Sequence, residues 1–323
     1  MEKKNDVIGL TTPGGDASGI NACIRAVVRL GISEGYRIVG IQNGYQGIYD
    51  GKFVQLNKRS VSGIINLGGT ILKSARCKEI RSEQGIKKAA ALLKREGVDK
   101  LIVIGGDGSS DALLKLSSYG IQGVAIPASI DNDINGTDET IGFDTATDVA
   151  VDAVDKIRDT ATSFDRVFIV EVMGRNHGFL ALSVGIASGA EFIIVPEVKY
   201  NLRKICAELL YDKRKGKSSE IIIFAEGAGD VKKFAENVAS TTNLEVRVST
   251  LGYIQRGGTP SARSRNLGAR FGAEAVKLIK QKKFNRLVVI RDSIVGSIPL
   301  TLAKKHEKRF DYALHKLAKQ LSD

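Results

Sequence analysis

Gly123-Val124-Ala125-Ile126, running into Pro127-Ala128-Ser129-Ile130-Asp131-Asn132-Asp133, decides how the rest of the chain is read. A short apolar run closed by a proline has the length and composition of a buried parallel strand. At its carboxyl end the sequence sets two carboxylates two residues apart, beside a hydroxyl and an amide. In open α/β sheets that edge is where ligands bind. Asp131 is suited to take a proton from an attacking hydroxyl, and Asp133 to help hold a metal-bound phosphate. An Asx-rich turn capping the next element accounts for the same residues equally well, so the other loops must decide.

On both sides of this strand, short apolar β-rich runs alternate with longer amphipathic segments, which is the pattern of a doubly wound, mainly parallel α/β sheet. Strands are predicted at Val7 to Thr12, Tyr36 to Gln42 and Leu101 to Ile104, with helices at Gly19 to Glu34, Glu83 to Glu96 and Ser110 to Ser118. A second series has helices at Asp144 to Thr160, His177 to Ser188, Leu202 to Lys213, Val231 to Ser240 and Ser264 to Lys282. Its strands fall at Arg166 to Val172, Glu191 to Val195, Glu220 to Ala225, Leu244 to Ser249 and Arg286 to Arg291. No low-complexity linker separates the two series, so a boundary near Gly142 is expected to be a crossover between packed lobes. The tail after Leu300 is basic and amphipathic and carries no assigned chemistry.

A chain of 323 residues can bury a large core, as two lobes. No apolar run approaches membrane-spanning length and no signal peptide is read ahead of the first strand. Cys23, Cys77 and Cys206 are scattered and odd in number, which suggests neither a disulfide framework nor a zinc site and fits a reducing cytoplasm. His177, His306 and His315 are too few for most histidine-based metal or triad chemistry. The net charge of +12 suits nucleic acid, a membrane surface or small phosphate-bearing ligands. Single strands are usually held by stacking aromatics among the basic residues. There is no Trp, and the basic run Lys213 to Lys217 has only Tyr211 close by. Small phosphorylated ligands are therefore expected, with no nucleic-acid or membrane partner.

Several strand-end loops carry groups for such ligands. Gly14-Gly15-Asp16 lies between a strand and a helix, where glycines let amides approach an anion, although taken alone an ordinary tight turn explains it better. Gly105-Gly106-Asp107-Gly108-Ser109 comes after an apolar strand and opens a helix, so its amides and the Ser109 hydroxyl can cradle phosphates, with Asp107 meeting magnesium. It matches neither the dinucleotide fingerprint nor the lysine-bearing phosphate loop. Arg76 lies in a glycine-rich loop begun by Gly68-Gly69, and its guanidinium suits developing negative charge, although taken alone a surface arginine explains it better. Met173-Gly174-Arg175 and Glu226 come after apolar strands, and Leu251 to Gly258 joins a tyrosine, an amide and Arg256 ahead of a glycine pair, a set that suits a sugar phosphate. His177 reads as a helix-start residue. A carboxylate base, a glycine-lined cradle with an acidic magnesium partner and arginines at strand ends together describe phosphoryl transfer by positioning and charge dispersal.

With these loops in place, the sequence resembles the ATP-dependent 6-phosphofructokinase family of the bacterial type. The likeness runs from about Val7 to Arg291 through PGGD (13–16), SAR (74–76), GGDGS (105–109), IDNDI (130–134), TIGFDTA (140–146), EVMGR (171–175) and LGYIQRGG (251–258). The resemblance implies two Rossmann-like lobes with the active site in the cleft between them. The nucleotide lobe is expected to span 1–142 with 255–305, and the sugar-phosphate lobe 143–254 with 306–323. It implies phosphorylation of fructose 6-phosphate by MgATP, with Asp131 as the base for the C1 hydroxyl and Asp133, Arg175 and Arg76 assisting the transfer. Gly15, Arg76, Cys77 and Gly106 to Ser109 (including Asp107 on Mg2+ and Gly108) resemble the ATP site. Ser129, Ile130, Met173, Gly174, Arg175, Glu226, Tyr253 and Arg256 resemble the sugar-phosphate site. Arg166 and Arg247 match arginines that reach the 6-phosphate from a neighbouring subunit, so the resemblance implies that the site needs an oligomer, in this family usually a homotetramer.

A regulatory site for ADP and phosphoenolpyruvate is also implied, at Arg25, Arg29, Lys58, Arg158, Glu191, Lys215 and Lys217. Solvated helix faces explain Arg25 and Arg29 equally well from spacing alone. Pyrophosphate-dependent relatives carry aspartate at the position of Gly108 and lysine at that of Ala128, so ATP is the expected donor. Ala128, Ser129, Tyr253, Lys73 and Ser264 depart from the family's usual glycine, threonine, histidine, glycine and aspartate. Lys73 adds a charge beside the nucleotide phosphates, and Ser264 has no reading from sequence. A pyrophosphate-dependent or relaxed-specificity kinase, the NAD and lipid kinase superfamily that shares the GGDG loop, and a basic binding protein without catalysis remain as rivals.

Overall fold

The computed structural model describes residues 6–164, 166–217 and 219–322. The chain opens with β1 (Val7–Thr11), α1 (Ile20–Ser33), β2 (Arg37–Ile41), α2 (Gln46–Tyr49), β3 (Phe53–Leu56), α3 (Glu83–Arg95), β4 (Lys100–Gly105), α4 (Asp107–Ser117) and β5 (Gln122–Pro127). It continues through α5 (Phe143–Phe164), β6 (Val167–Val172), α6 (Phe179–Ala187), β7 (Phe192–Ile194), α7 (Leu202–Arg214), β8 (Glu220–Ala225), α8 (Val231–Thr242) and β9 (Val246–Thr250). Last come α9 (Ala262–Lys280), β10 (Arg286–Arg291), β11 (Ile294–Pro299), α10 (Leu300–Ala303) and α11 (Tyr312–Ser322). Two compact units share these elements. The first takes the stretches up to Ser129, Ile134–Thr145 and Arg256–Lys308; the second takes Ile130–Asp133, Ala146–Gln255 and the stretch from Arg309.

In the first unit a seven-stranded sheet runs in the order β11-β10-β5-β4-β1-β2-β3. The inner strands are parallel, with Leu10 beside Ile102 and Val103 beside Ala125. Away from the polar residues at their ends, their runs are continuously apolar because both faces are covered. Ile86, Ala89 and Leu93 of α3 share one core with Leu101 and Val103 of β4 and Leu113 and Leu116 of α4. Each fully buried side chain of this size contributes about 1.5–3 kcal/mol of burial. Helices α1 and α9 cross closely at Gly268 and Gly272. A Cβ on Gly268 meets the Gly19 carbonyl at 2.8 Å, and one on Gly272 meets Ala26 Cβ and the Cys23 carbonyl at 2.9 Å, so this crossing requires small residues.

The second unit holds a four-stranded, wholly parallel sheet in the order β7-β8-β6-β9. Ile169, Ile222 and Phe224 from its strands pack with Leu209 of α7 and Phe234 of α8. The last helix, α11, returns to this unit, where His315 Nε2 lies 3.1 Å from the Ile193 carbonyl on the edge strand β7. Among the described residues no helix is long and apolar enough to cross a membrane.

The expected α/β alternation with mainly parallel sheets is present, with differences at the margins. Strands β3 and β11 pair antiparallel at the two edges of the larger sheet; one is only four residues long and the other contains Gly296 and Pro299, so neither has the apolar run of a central strand. The tail contains the short α10 and the longer α11. Helix α4 begins at Asp107 rather than Ser110, which makes the glycine loop the helix amino end itself. Helix α6 begins at Phe179, so His177 precedes it in a turn.

Candidate active site

In the first unit, chemistry-bearing loops gather around the end of β1. The Ser109 hydroxyl donates to the Pro13 carbonyl at 2.9 Å, and the Ser74 hydroxyl donates to the Gly14 carbonyl at 2.6 Å. Buried Asn21 fixes the loop that leads to Ser74. Its amide donates to the carbonyls of Leu67 (3.0 Å) and Gly69 (2.7 Å), and its oxygen accepts from Ile71 N–H. Asp16 Oδ1 accepts from Ala17 N–H and Thr70 N–H. Burial raises the Asp16 carboxyl above its ordinary value, against the lowering by those two amides and by the Arg256 charge. Ser18 donates to the Gly258 carbonyl at 2.8 Å, which brings Arg256-Gly257-Gly258 to the same place. Motifs far apart in the chain thus form one polar surface.

The amide groups at the start of α4, on Asp107 and Gly108, precede the first intrahelical bond and add the positive end of the helix dipole. A Cβ on Gly15, Gly106 or Gly108 would meet nothing within 4 Å, whereas one on Gly105 would meet the Pro13 carbonyl at 2.4 Å. Of these four, internal packing requires glycine at Gly105 alone, and the open space over the other three fits phosphates lying against backbone. Asp107 is exposed there, and no group of three or more His, Cys, Asp or Glu suited to a metal occurs among the described residues. That donor set fits magnesium carried in on phosphates and met by one carboxylate rather than an all-protein cage. The Ser109 hydroxyl, expected on phosphate, instead donates its hydrogen to Pro13. Arg76 is exposed, while the Cys77 thiol is half-buried, lies 3.6 Å from Glu79 Oε2, and is raised by burial.

In the second unit Asp131 is 4% exposed and its Oδ2 lies 3.3 Å from Arg175 Nε. Ile130 is buried beside it and Asp133 is half-buried. Arg175 holds φ at 52°, a left-handed conformation that a bulky residue keeps only when its surroundings impose it. Glu226 supplies that constraint: its Oε1 accepts from both Gly174 N–H (3.1 Å) and Arg175 N–H (2.7 Å). The carboxylate read as a sugar ligand thus also holds the arginine loop. Gly174, at φ 141°, leaves no room for a side chain, since a Cβ would meet the His177 carbonyl at 2.5 Å. Gln255, 1% exposed, accepts from Met173 N–H and donates to the Gly252 carbonyl, so the amide of the sugar loop is committed to structure. Tyr253 is 78% exposed. His177 Nδ1 lies 3.6 Å from Glu197, and its ring stacks on Phe179.

Sequence reading missed Glu245, which stands between Arg166 (2.8 Å) and Arg247. Arg166's hydrogen bond, and then the charges of both arginines, hold the Glu245 carboxyl below the usual range. Only the three-dimensional pairing of β6 with β9, which sets Phe168 beside Arg247, brings these groups together. Back in the first unit, Ser129 is anchored by donating to Ile141 and accepting from Thr140. Ser264 is 1% exposed and accepts from the Thr145 hydroxyl at 2.8 Å, at the start of α9.

The residues read as regulatory divide between the units. Arg25 and Arg29 lie one turn apart on α1, and Lys58 is exposed beyond β3, all in the first unit. In the second, Arg158 donates to the carbonyls of Ser188 and Gly189 and lies 3.5 Å from Glu191, which is 3.2 Å from Lys217. Lys215 lies over the Tyr211 ring. Buried Glu220, 3.3 Å from Lys217, joins this cluster. Burial, then the neighbouring Glu191 charge, push its carboxyl from an ordinary 4.5 to about 7. A carboxyl raised on folding binds its proton more tightly in the folded chain, so its contribution to stability falls as pH rises from 4.5 through about 7. Glu220→Gln, which imitates the protonated form, is expected to be more stable than the parent at pH 8 by about 1–2 kcal/mol after allowance for solvent screening. The two should converge near pH 4.5; thermal melts across that range check it, and equal melting at pH 8 would refute it.

The phosphofructokinase family model matches residues 7–279. An ATP-dependent 6-phosphofructokinase of Clostridium botulinum is 47% identical over 315 residues, which are 98% of this chain and 99% of that one. Phosphofructokinase from Saccharomyces cerevisiae superposes with a TM-score of 0.85 at 34% identity, over 93% of this chain and 45% of that one. The T-state phosphofructokinase of Pichia pastoris gives 0.88 at 32% identity, over 99% of this chain and 39% of that one. The chain therefore spans nearly the whole clostridial relative and less than half of either yeast chain.

Proposed function

Because this chain belongs to the phosphofructokinase family, we propose that it phosphorylates fructose 6-phosphate at the C1 hydroxyl with MgATP, giving fructose 1,6-bisphosphate and ADP. The observation that carries this reading is the buried Asp131 held 3.3 Å from the Arg175 guanidinium. Asp131 accepts the C1 proton as the alcohol oxygen attacks the terminal phosphorus, and Arg175 disperses the charge that builds on the transferring group. The bond that breaks is the one from that phosphorus to the bridging oxygen of ADP. The amides opening α4 hold the nucleotide phosphates. Asp107 is the residue that would meet a magnesium ion carried in on those phosphates, and such an ion would supply charge neutralisation there.

Arg256, with Arg166 and Arg247 across a subunit boundary, binds the 6-phosphate, so the working form is an oligomer, in keeping with the family's usual homotetramer. The cations clustered around Glu191 and those on α1, brought together between subunits, bind the effectors ADP and phosphoenolpyruvate. The three cysteines form no disulfide, which supports action in the cytoplasm. Open space over Gly108 supports ATP as donor. The test is one preparation assayed with fructose 6-phosphate and either MgATP or pyrophosphate. Turnover with MgATP is expected; turnover with pyrophosphate alone would overturn the donor assignment, and none with either would overturn the reaction.

A further inference from the structure

Among the described residues, nine non-glycine residues hold a left-handed backbone. Five are Asn or Asp (Asn43, Asn132, Asn243, Asn285 and Asp292), which tolerate that conformation. Two of the other four have a local reason. Lys282 closes α9: its N–H donates to Ile279 and that of Lys283 to Leu278, the pairing of a helix ended by a left-handed residue. Ser293, at φ 66° after Asp292 at 48°, makes the two-residue turn between β10 and β11. Arg175 is held in place by the Glu226 carboxylate. Lys73, at φ 58°, caps no helix and joins no hairpin.

Its backbone is held from both sides. Lys73 N–H donates to the Thr70 carbonyl at 3.0 Å, and the Lys73 carbonyl accepts from the Thr12 hydroxyl at 3.1 Å. The next residue, Ser74, is tied to Gly14, and Ser109 of the phosphate cradle is tied to Pro13. The lysine loop and the cradle are therefore anchored to consecutive residues at the end of β1. The lysine side chain is exposed there. A glycine would adopt this backbone without strain, so the lysine is kept where local structure disfavours it, and strain of that kind collects at ligand contacts.

We propose that Lys73 is a specificity-determining contact for the donor, its ammonium meeting the phosphates of the nucleotide held at the start of α4. This contact rests on the assignment of MgATP as donor. A compact charge on a flexible stem suits phosphate oxygens without demanding a fixed geometry. Being exposed, it should contribute modestly and in a salt-dependent way.

Three variants separate charge from strain: Lys73→Met removes the charge and keeps the strained backbone, Lys73→Gly removes both, and Lys73→Arg keeps both. Calorimetric titration with magnesium adenylyl imidodiphosphate at low ionic strength should show binding weakened about threefold to tenfold in the Met and Gly variants. The Arg variant should stay within about twofold, and fructose 6-phosphate binding should be unchanged in all three. The Gly variant should also melt about 1–3 °C above the Met variant. Parent-like nucleotide binding by Lys73→Met overturns the contact, and a Gly variant melting no higher than Met overturns the strain. A parent that binds the nucleotide tightly but phosphorylates no sugar would sink the reaction and leave the lysine assignment standing. A parent active with MgATP, with an unchanged KM for it in Lys73→Met, would sink the lysine assignment alone.

Discussion

Asp131→Ser should lower kcat by about 10³-fold or more, while the KM for fructose 6-phosphate changes by less than about threefold. Loss of a general base alone is worth about 10²–10⁴-fold, and in the proposed role Asp131 would also orient the attacking alcohol. The fold should survive the change. The carboxylate's partner, Arg175, has a side chain that is 62% exposed, so water can take over the guanidinium and no charge is stranded in the core. The loop carrying Arg175 is held through its backbone by Glu226, not through Asp131. A melting temperature close to the parent's, together with the collapse in kcat, would assign Asp131 to the chemistry. Parent-like turnover in a folded variant would remove it from that role.

Gly108→Asp is expected to raise the KM for MgATP by about tenfold to a hundredfold with little change in melting temperature. A Cβ at this position meets nothing within 4 Å, so the protein itself can accept the substitution. An aspartate in the first turn of α4 even complements the helix dipole. The loss must then come from the ligand: a second carboxylate beside Asp107 repels phosphate and fills the space that a nucleotide would use. Steady-state kinetics and a thermal melt check both halves. An unchanged KM would mean that the donor phosphates lie elsewhere.

The strand-end loops were legible in sequence because buried parallel strands write themselves as apolar runs, and the residues just past each run stand at a sheet edge. Asp131 after β5, the glycine loop after β4 and Arg175 after β6 were all found that way. The groups that stayed hidden depend on partners distant in the chain. Nothing around Glu245 announces that it separates Arg166 from Arg247, and the amide of Gln255 looks like a ligand until Met173 and Gly252 are seen to occupy it. Asn21 lies in an unremarkable helical stretch, yet three hydrogen bonds make it the anchor of the loop bearing Ser74. Ser264 became intelligible only beside Thr145. The antiparallel edges escaped because a short strand and one broken by glycine and proline lack the composition of the inner strands.

The interleaving of the two units bears on how the chain comes off the ribosome. The smaller sheet has all four of its strands once Thr250 has been synthesised, although its edge at β7 must wait for α11. The larger sheet, begun first, cannot be finished until β10 and β11 emerge, because β10 must settle beside β5 and carry β11 at the rim. Until then the open flank of β5, just ahead of Asp131, is an unpaired strand edge of the kind that invites mispairing. A nascent chain stalled between Thr250 and Arg286 should therefore be the most prone to aggregate and the most dependent on chaperones.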